Sequence, residues 1–255
     1  MIDLIVFSVG SNRYALNIEN IQRIIQATKV TDMPKTSSLI DGMLSYEGEV
    51  IKVLNFRKLI GLDSYDTQLL NKFKILEQAH HEWIDDLRNA VENGSTFSKT
   101  TNPHACELGK WLDNFNSYDV NVSMILKELM SNHKNLHVGA ENVLDLYKSD
   151  KSKALEMFNS KIYNSFEKTI SGVSKLMTEI EAVSDSLQKF LIYENSGKVF
   201  AVKVDTIEDI AHIDASQIMS SDDDHINRFL ELDGIIDLDG TLINIIKKID
   251  LPIKD

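Results

Sequence analysis

Three histidines and the only cysteine of the chain are spaced in a way that could place them around one metal ion. They lie in three short motifs, which read His80-x-x-Trp83, Cys106-x-Leu108-Gly109-x-Trp111 and His133-x-x-x-His137. Three imidazoles and one thiolate form a complete tetrahedral ligand set for zinc, which predicts one Zn2+ per chain. Because the only thiol would be a ligand, an oxidant that attacks Cys106 would also attack the metal site. This favours a sensor over a catalyst.

Each of these three histidines lies on an apolar stripe with helical spacing. From Tyr65 onward, steps of four and three residues connect Leu69, Phe73, Leu76, His80, Trp83 and Leu87. The pattern predicts one helix that turns His80 towards the protein interior and His81 about 100° away. His133 and His137 are four residues apart on a second stripe, so both imidazoles face the same side of one helix.

The helical part of the sequence contains four predicted helices. Cys106 begins a short one that ends near Phe115, where the helix dipole would favour a thiolate. A last helical pattern runs from Leu155 to Val183. Four helices in an up-down bundle return the chain to the end at which it started. A bundle of this kind can be inserted into another fold without disrupting it.

Two β-rich segments, residues 1–62 and 190–253, flank the helical part and resemble each other. The run Tyr14-Ala15-Leu16-Asn17-Ile18 matches Phe200-Ala201-Val202-Lys203-Val204 in character. In each segment an acidic residue and a glycine stand between apolar runs, as Glu47-Gly48 and Asp239-Gly240. These dipeptides predict hairpin turns. One β-module therefore occurs twice, interrupted by the helices.

In these matched runs the outer segments resemble the CheW-like domain of chemotaxis adaptors and kinases, over residues 2–62 and 190–253. The resemblance implies two small five-stranded β-barrels side by side. It also implies a role as an adaptor that joins chemoreceptors to the CheA histidine kinase.

The helical motifs resemble the chemoreceptor zinc-binding (CZB) domain over residues from about 70 to 188. This resemblance implies zinc ligation by His80, Cys106, His133 and His137, and zinc or oxidant sensing with Cys106 as the redox switch. The other motif positions are Trp83, Leu108, Gly109 and Trp111. CZB domains often pair, so the resemblance is compatible with a homodimer.

Together these features predict an α+β protein in three segments. Residues 1–64 form the first half of a CheW-like domain, residues 65–188 an inserted zinc-binding four-helix bundle, and residues 189–255 the second half. One departure concerns partners: where the CheW-like family has Asn-Leu-Arg-Gly, this chain has Ser45-Tyr46-Glu47-Gly48. Because a cation has become an anion at Glu47, the partner-binding residues stay undefined.

The composition argues against several other classes of protein. A net charge of −12 argues against unaided binding to nucleic acid or to anionic membranes. Apolar runs are too short to span a bilayer, and Met1 to Val9 lack the features of a signal peptide. A single cysteine cannot form an internal disulfide, which favours a reducing cytoplasm.

Two alternatives remain open. One is a constitutive adaptor in which the zinc is purely structural. The other is a di-iron bundle of the hemerythrin kind, for which His81 and Asp85 are the only near-fit. An enzyme is not expected, because a complete ligand set leaves no open position for water and the sequence has neither a nucleophile elbow nor a P-loop.

Overall fold

The structure is a computed structural model that describes residues 1–34, 37–220 and 225–252. The chain divides into two compact units, one of Met1–Tyr65 with Ser184–Asp255 and one of Asp66–Val183. The sequence, by comparison, predicts domain boundaries after residues 64 and 188. Among the described residues, no helix is both long and apolar enough to cross a membrane.

The discontinuous unit contains two β-sheets and a short helix, α1 (Phe56–Leu59). Its strands are β1 (Ile2–Val9), β2 (Asn12–Asn17), β3 (Ile21–Gln26), β4 (Ile40–Tyr46), β5 (Glu49–Asn55), β6 (Lys189–Asn195), β7 (Lys198–Val204), β8 (Thr206–Ile213), β9 (His225–Asn227), β10 (Leu230–Leu238) and β11 (Thr241–Ile249). One sheet has the order β8-β1-β2-β11-β10-β9 and the other β3-β6-β7-β5-β4. The expectation of two small five-stranded β-structures is confirmed, and the short strand β9 makes the first sheet six-stranded.

The two halves of the β-module exchange hairpins. Strands β1 and β2 join the sheet formed by the second half, and β6 and β7 join the sheet formed by the first half. Parallel pairing fixes the exchange, with Ala15 opposite Ile245 and Leu54 opposite Val202. Apolar side chains from both halves share one buried core. Neither half therefore completes a sheet by itself.

The two predicted hairpin turns are confirmed. Glu47 and Gly48 have φ values of 51° and 87°, and Asp239 and Gly240 have φ values of 53° and 79°. Both central residues of each turn thus have positive φ, as a type I′ turn requires. Glu47 also forms an exposed ion pair with Arg23 at 3.3 Å. The anion that replaces the family arginine is therefore paired within its own unit.

The second unit is helical. Its helices are α2 (Tyr65–Asn93), α3 (Glu107–Asn114), α4 (Val120–Ser149), α5 (Lys151–Met157), α6 (Tyr163–Thr178) and α7 (Ile180–Leu187). The first residue of α2 and the last turn of α7, from Ser184 onward, belong to the β unit. Side chains of α2, α4, α5 and α6 share a buried core.

The last helix predicted from the sequence is not continuous. A π-helical turn, Phe158–Ile162, separates α5 from α6, and α6 ends at Thr178 before α7 begins. The π turn keeps both Phe158 and Ile162 almost fully buried. A Cβ on Gly139 of α4 would lie 2.3 Å from Cδ1 of Ile162, so the end of the Ile162 side chain packs directly on this glycine.

Candidate metal centre

The four predicted ligands come together within the helical unit. His80 lies on α2, Cys106 caps the N-terminus of α3, and His133 and His137 lie on α4. One potential ligand atom from each residue lies within 4.8 Å of all the others. Within the described part of the chain, this is the group of histidine, cysteine and carboxylate side chains that could hold a metal ion.

The distances inside the group fit a small tetrahedral ion. Sγ of Cys106 lies 3.2 Å from Nε2 of His133 and 3.9 Å from Nε2 of His80. Zinc bonds of about 2.0–2.3 Å place tetrahedral ligand atoms roughly 3.3–3.8 Å apart. The side chains are therefore arranged at a spacing that one zinc ion could bridge.

His80 is oriented by the backbone of its own helix. Its Nδ1 lies 2.8 Å from the carbonyl oxygen of Leu76. A carbonyl can only accept, so Nδ1 carries the proton and Nε2 keeps its lone pair. Such a bond on the distal nitrogen is typical of metal-binding histidines. This supporting carbonyl was not predicted; the position of Leu76 four residues before His80 on the same helix was the available signal.

His137 gives the strongest indication that the cluster binds an ion. Its side chain is fully buried. Neither of its ring nitrogens has a well-aligned hydrogen-bond partner among the residues that the structure describes. Leaving such a group unpaired costs about 1–3 kcal/mol. A metal ion at the cluster would satisfy one of these nitrogens, and the residues present therefore fit a metal.

The environment keeps the imidazoles neutral. Burial, together with the neighbouring His137 and His80, lowers the pKa of His133 to about 3. Burial and the adjacent His80 lower the pKa of His137 to about 4, and the nearby Thr100 backbone counters only part of this shift. The pKa of His80 is also lowered, mainly by burial. Neutral imidazoles have a free lone pair, so all three histidines are in the form that binds metal.

Cys106 differs from the sequence-based expectation. Its Sγ accepts a hydrogen bond from the backbone N–H of Gly109 at 3.3 Å, as expected at a helix N-terminus. Burial nevertheless raises the pKa of the Cys106 thiol, and this outweighs the stabilising N–H groups. The helix dipole therefore does not produce a thiolate by itself. A bound cation would deprotonate the thiol directly.

The remaining motif residues support the ligands. The ring of Trp83 lies against His137 with centroids 4.9 Å apart, and its Nε1 donates to the carbonyl of Thr100 at 2.9 Å. The ring of Trp111 packs edge-on against Phe73 of α2 with centroids 4.9 Å apart. Leu108 is fully buried. The contacts of Trp111 hold α3, and with it the ligand at its N-terminus, against α2.

Gly109 is required by a close backbone approach. A Cβ at this position would lie 1.7 Å from the carbonyl oxygen of Pro103. Alanine would therefore displace the backbone that carries Cys106, at a cost of about 3 kcal/mol by comparison with overpacked sites. We expect Gly109→Ala to lose most of the bound zinc, measured by elemental analysis of the purified protein.

A matched control for that variant is Gly139→Ala, also within a helix of the same unit. There the added Cβ would meet only the side chain of Ile162, whose flexible end can move. We expect this variant to keep as much zinc as the unmodified protein. Equal zinc retention by both variants would show that the close approach of the Pro103 carbonyl to Gly109 is not needed for zinc binding.

The di-iron alternative finds no support in this geometry. His81 is exposed and packs on the ring of Phe166. Asp85 is exposed and pairs with Arg88 at 3.4 Å. Within the described residues, neither belongs to the metal-binding group, which contains no carboxylate. Bridging carboxylates are what a di-iron bundle needs.

A buried ion pair in the β unit was not predicted from the sequence. Arg57 of α1 and Asp205, which follows β7, form a close contact between Nη1 and Oδ2. Arg57 is 4% exposed and Asp205 is 7% exposed. The sequence offered one signal, because Arg57 and Asp205 each come shortly after a strongly apolar strand. Charged side chains that are buried are almost always paired, so the two residues could have been expected to meet.

Comparison with known proteins agrees with the two-part prediction. Residues 3–83 match the model of the CheW-like domain family, and residues 80–144 match that of the chemoreceptor zinc-binding domain family. The second match begins at His80 and includes Cys106, His133 and His137. Residues 3–83 are therefore similar to a CheW-like domain and residues 80–144 to a chemoreceptor zinc-binding domain, and the cluster of four side chains could hold one metal ion.

Individual relatives are more distant. The curated "Chemotaxis protein CheW" of Thermotoga maritima is 27% identical over 66 residues, which is 26% of this chain and 43% of that protein. The match thus spans less than half the length of this relative. Among solved structures, the scaffolding protein TtCheW from Thermoanaerobacter tengcongensis has a TM-score of 0.45 at 13% identity, covering 96% of this chain and 84% of that one. The regulatory CZB domain of DgcZ has a TM-score of 0.38 at 12% identity, covering 46% of this chain and 98% of that one.

Proposed function

We propose that the protein is a chemotaxis adaptor that couples chemoreceptors to a CheA-type histidine kinase and that senses zinc or oxidant through its helical insert. The β segments, residues 1–64 and 189–255, are the adaptor, and residues 65–188 are the sensor. The family matches over residues 3–83 and 80–144 support the two roles, and the strands of residues 189–255 share both sheets with those of the first segment. The observation that best supports the sensor role is that four potential ligand atoms lie close together. One of them belongs to His137, a buried imidazole without a well-aligned partner among the described residues.

In this proposal His80, Cys106, His133 and His137 hold one zinc ion. Zinc bound there would keep Cys106 as a thiolate and join α2, α3 and α4. The chain's own residues prepare the site, since burial keeps the imidazoles neutral and the Leu76 carbonyl orients His80. With four protein ligands, no position is left for a reacting water, so we assign no enzymatic activity.

Oxidation of Cys106 would provide the switch. A thiolate that attacks hypochlorous acid gives a sulfenic acid and chloride, so that sulfur gains the hydroxyl group and chlorine leaves with the electron pair. A sulfenic acid is a poorer metal ligand than a thiolate. Cys106 is only partly buried, whereas the three histidines are almost fully buried. Cys106 is therefore the most accessible of the four candidate ligand residues to an oxidant from solvent.

The test is the zinc content before and after stoichiometric hypochlorous acid. We expect about one zinc per chain in the purified protein, and release of most of it on oxidation. Cys106→Asp is the matched variant, because a carboxylate can bind zinc but cannot be oxidised in this way. We expect its zinc to be retained.

Each other outcome has a clear meaning. Equal release from Cys106→Asp would assign the effect to other oxidised residues, such as the eight methionines. If zinc stays bound to the unmodified protein after oxidation, the second candidate is favoured, a constitutive adaptor with a structural zinc. The burial of all three histidines favours that candidate, since closed sites are typical of structural zinc. Two irons, or no zinc, would contradict the site itself.

A further inference from the structure

The end of α7 belongs to the β unit, where polar side chains hold it in place. Oγ of Ser184 donates to Oε1 of Gln188 at 3.0 Å, and both residues are buried. The amide of Gln26 donates to the carbonyl oxygens of Asp185 at 2.6 Å and Gln188 at 2.9 Å. Lys203 of β7 pairs with the Asp185 carboxylate at 2.7 Å. These contacts attach the last turn of α7 to β3 and β7.

The carboxylate of Asp205 connects this turn to the segment that precedes the insert. Its Oδ1 accepts a hydrogen bond from Nε2 of Gln188 at 3.1 Å. Its Oδ2 contacts the guanidinium of Arg57, which lies shortly before the chain enters the helical unit at Asp66. Arg57 in turn donates through Nε to the carbonyl of Asp63 at 2.9 Å. One carboxylate thus holds the chain on both sides of the insert.

The same carboxylate also holds a turn in the other sheet. The backbone N–H of Gly10, between β1 and β2, donates to Oδ2 of Asp205 at 2.8 Å. This turn forms one wall of a surface cleft of about 580 Å³, which is also lined by Ser11, Arg13 and Leu242. The position of Asp205 therefore influences the shape of a surface on the six-stranded sheet.

We propose that Gln188 and Asp205 are positioning residues that transmit the metal state of the insert to the β1–β2 turn. The inference rests on the proposed function, because it requires an insert whose packing depends on zinc. A rotation of α7 would pull the Gln188 amide away from Oδ1 of Asp205. A buried carboxylate that loses the donor to Oδ1 is held less firmly in its position, so the hydrogen bond that its Oδ2 accepts from the N–H of Gly10 weakens. Networks of this kind carry coupling between distant sites.

The direct reporter is hydrogen exchange at the backbone amide of Gly10, measured on the full chain with zinc bound and after chelation. We expect chelation to speed this exchange roughly 5- to 10-fold in the unmodified protein, within the usual range of coupling between sites. In Gln188→Met, which keeps the side-chain length but removes the amide, we expect the same exchange rate in both metal states. Ser184→Ala, a milder change that only releases the Gln188 side chain, should reduce the difference.

A matched control is Tyr193→Phe, which removes a buried hydrogen bond elsewhere in the same unit. The hydroxyl of Tyr193 accepts from the backbone N–H of Ile249 at 3.2 Å. We expect this variant to keep the full metal-dependent difference at Gly10. If that difference reflected only the overall stability of the unit, Tyr193→Phe would change it as Gln188→Met does.

The outcomes separate this inference from the proposed function. If the unmodified protein binds zinc but Gly10 exchanges equally in both metal states, the transmission is wrong while the zinc site stands. The same conclusion follows if Gln188→Met keeps the full difference. If the unmodified protein binds no zinc, the proposed function fails and this inference fails with it.

Discussion

Replacing His137 with alanine is expected to lower the zinc affinity of the protein by about 100-fold. Structural zinc sites bind with about 10–16 kcal/mol, so one of four ligands accounts for roughly 3 kcal/mol, and each 1.4 kcal/mol is a factor of about ten. His137 is fully buried, its pKa is lowered to about 4, and neither ring nitrogen has a well-aligned partner among the described residues. No other described group is placed to replace it in the metal-binding cluster.

The measurement is a competition titration against a chelator of known zinc affinity. His81→Ala is the matched control, since His81 follows the ligand His80 on α2 but is exposed. We expect that variant to bind zinc like the unmodified protein. Unchanged affinity in His137→Ala would show that the metal is held by a different set of residues.

Replacing Arg57 with methionine is expected to lower the free energy of unfolding of the β unit by about 3–5 kcal/mol. The reason is that Asp205 would keep its buried charge without the guanidinium, and removing one partner of a buried pair costs this much. Methionine is flexible and fills part of the same volume, so the effect of packing is smaller. Two other donors to Asp205 among the described residues, the amide of Gln188 and the N–H of Gly10, are uncharged.

The control is Arg13→Met, which breaks an exposed ion pair with Glu208 in the same unit. Surface pairs contribute about 0–1 kcal/mol, so little change is expected. Because Trp83 and Trp111 both lie in the helical unit, tryptophan fluorescence does not report on this unfolding. Hydrogen exchange in β6 and β7 under increasing urea is the suitable measurement. Equal losses in the two variants would mean that the burial of the Arg57 pair has no energetic consequence.

Local patterns made much of the fold predictable. The stripe of apolar residues around His80 and the four-residue spacing of His133 and His137 depend only on helical periodicity, and α2 and α4 contain them as expected. The turns at Glu47-Gly48 and Asp239-Gly240 follow from dipeptide chemistry alone. The shared position of the four candidate ligands could be predicted because each helix fixes its own side chains and the resemblance indicated their partners.

Features that depend on distant contacts could not be predicted. The π turn at Phe158–Ile162 packs against Gly139, which lies on a different helix. The raised pKa of Cys106 depends on burial, which no dipole argument from a short helix contains. The pairing of Arg57 with Asp205 joins residues 148 positions apart. In each case the feature depends on a contact with a residue that lies far away in the sequence.

The exchange of hairpins between the two halves determines the order in which the parts of the chain can fold during synthesis. Strands β1 and β2 form a hairpin early, but their outer partners β8 and β11 follow the insert, as does β6, the partner of β3. The insert from Asp66 to Val183 is one continuous stretch, so all its residues leave the ribosome before any of those later strands. At about 5–20 residues per second, its roughly 120 residues take on the order of 10 s to translate. The insert can therefore load its metal while the β-module is still incomplete, and during this interval the edges of the early strands are open to pairing with other chains.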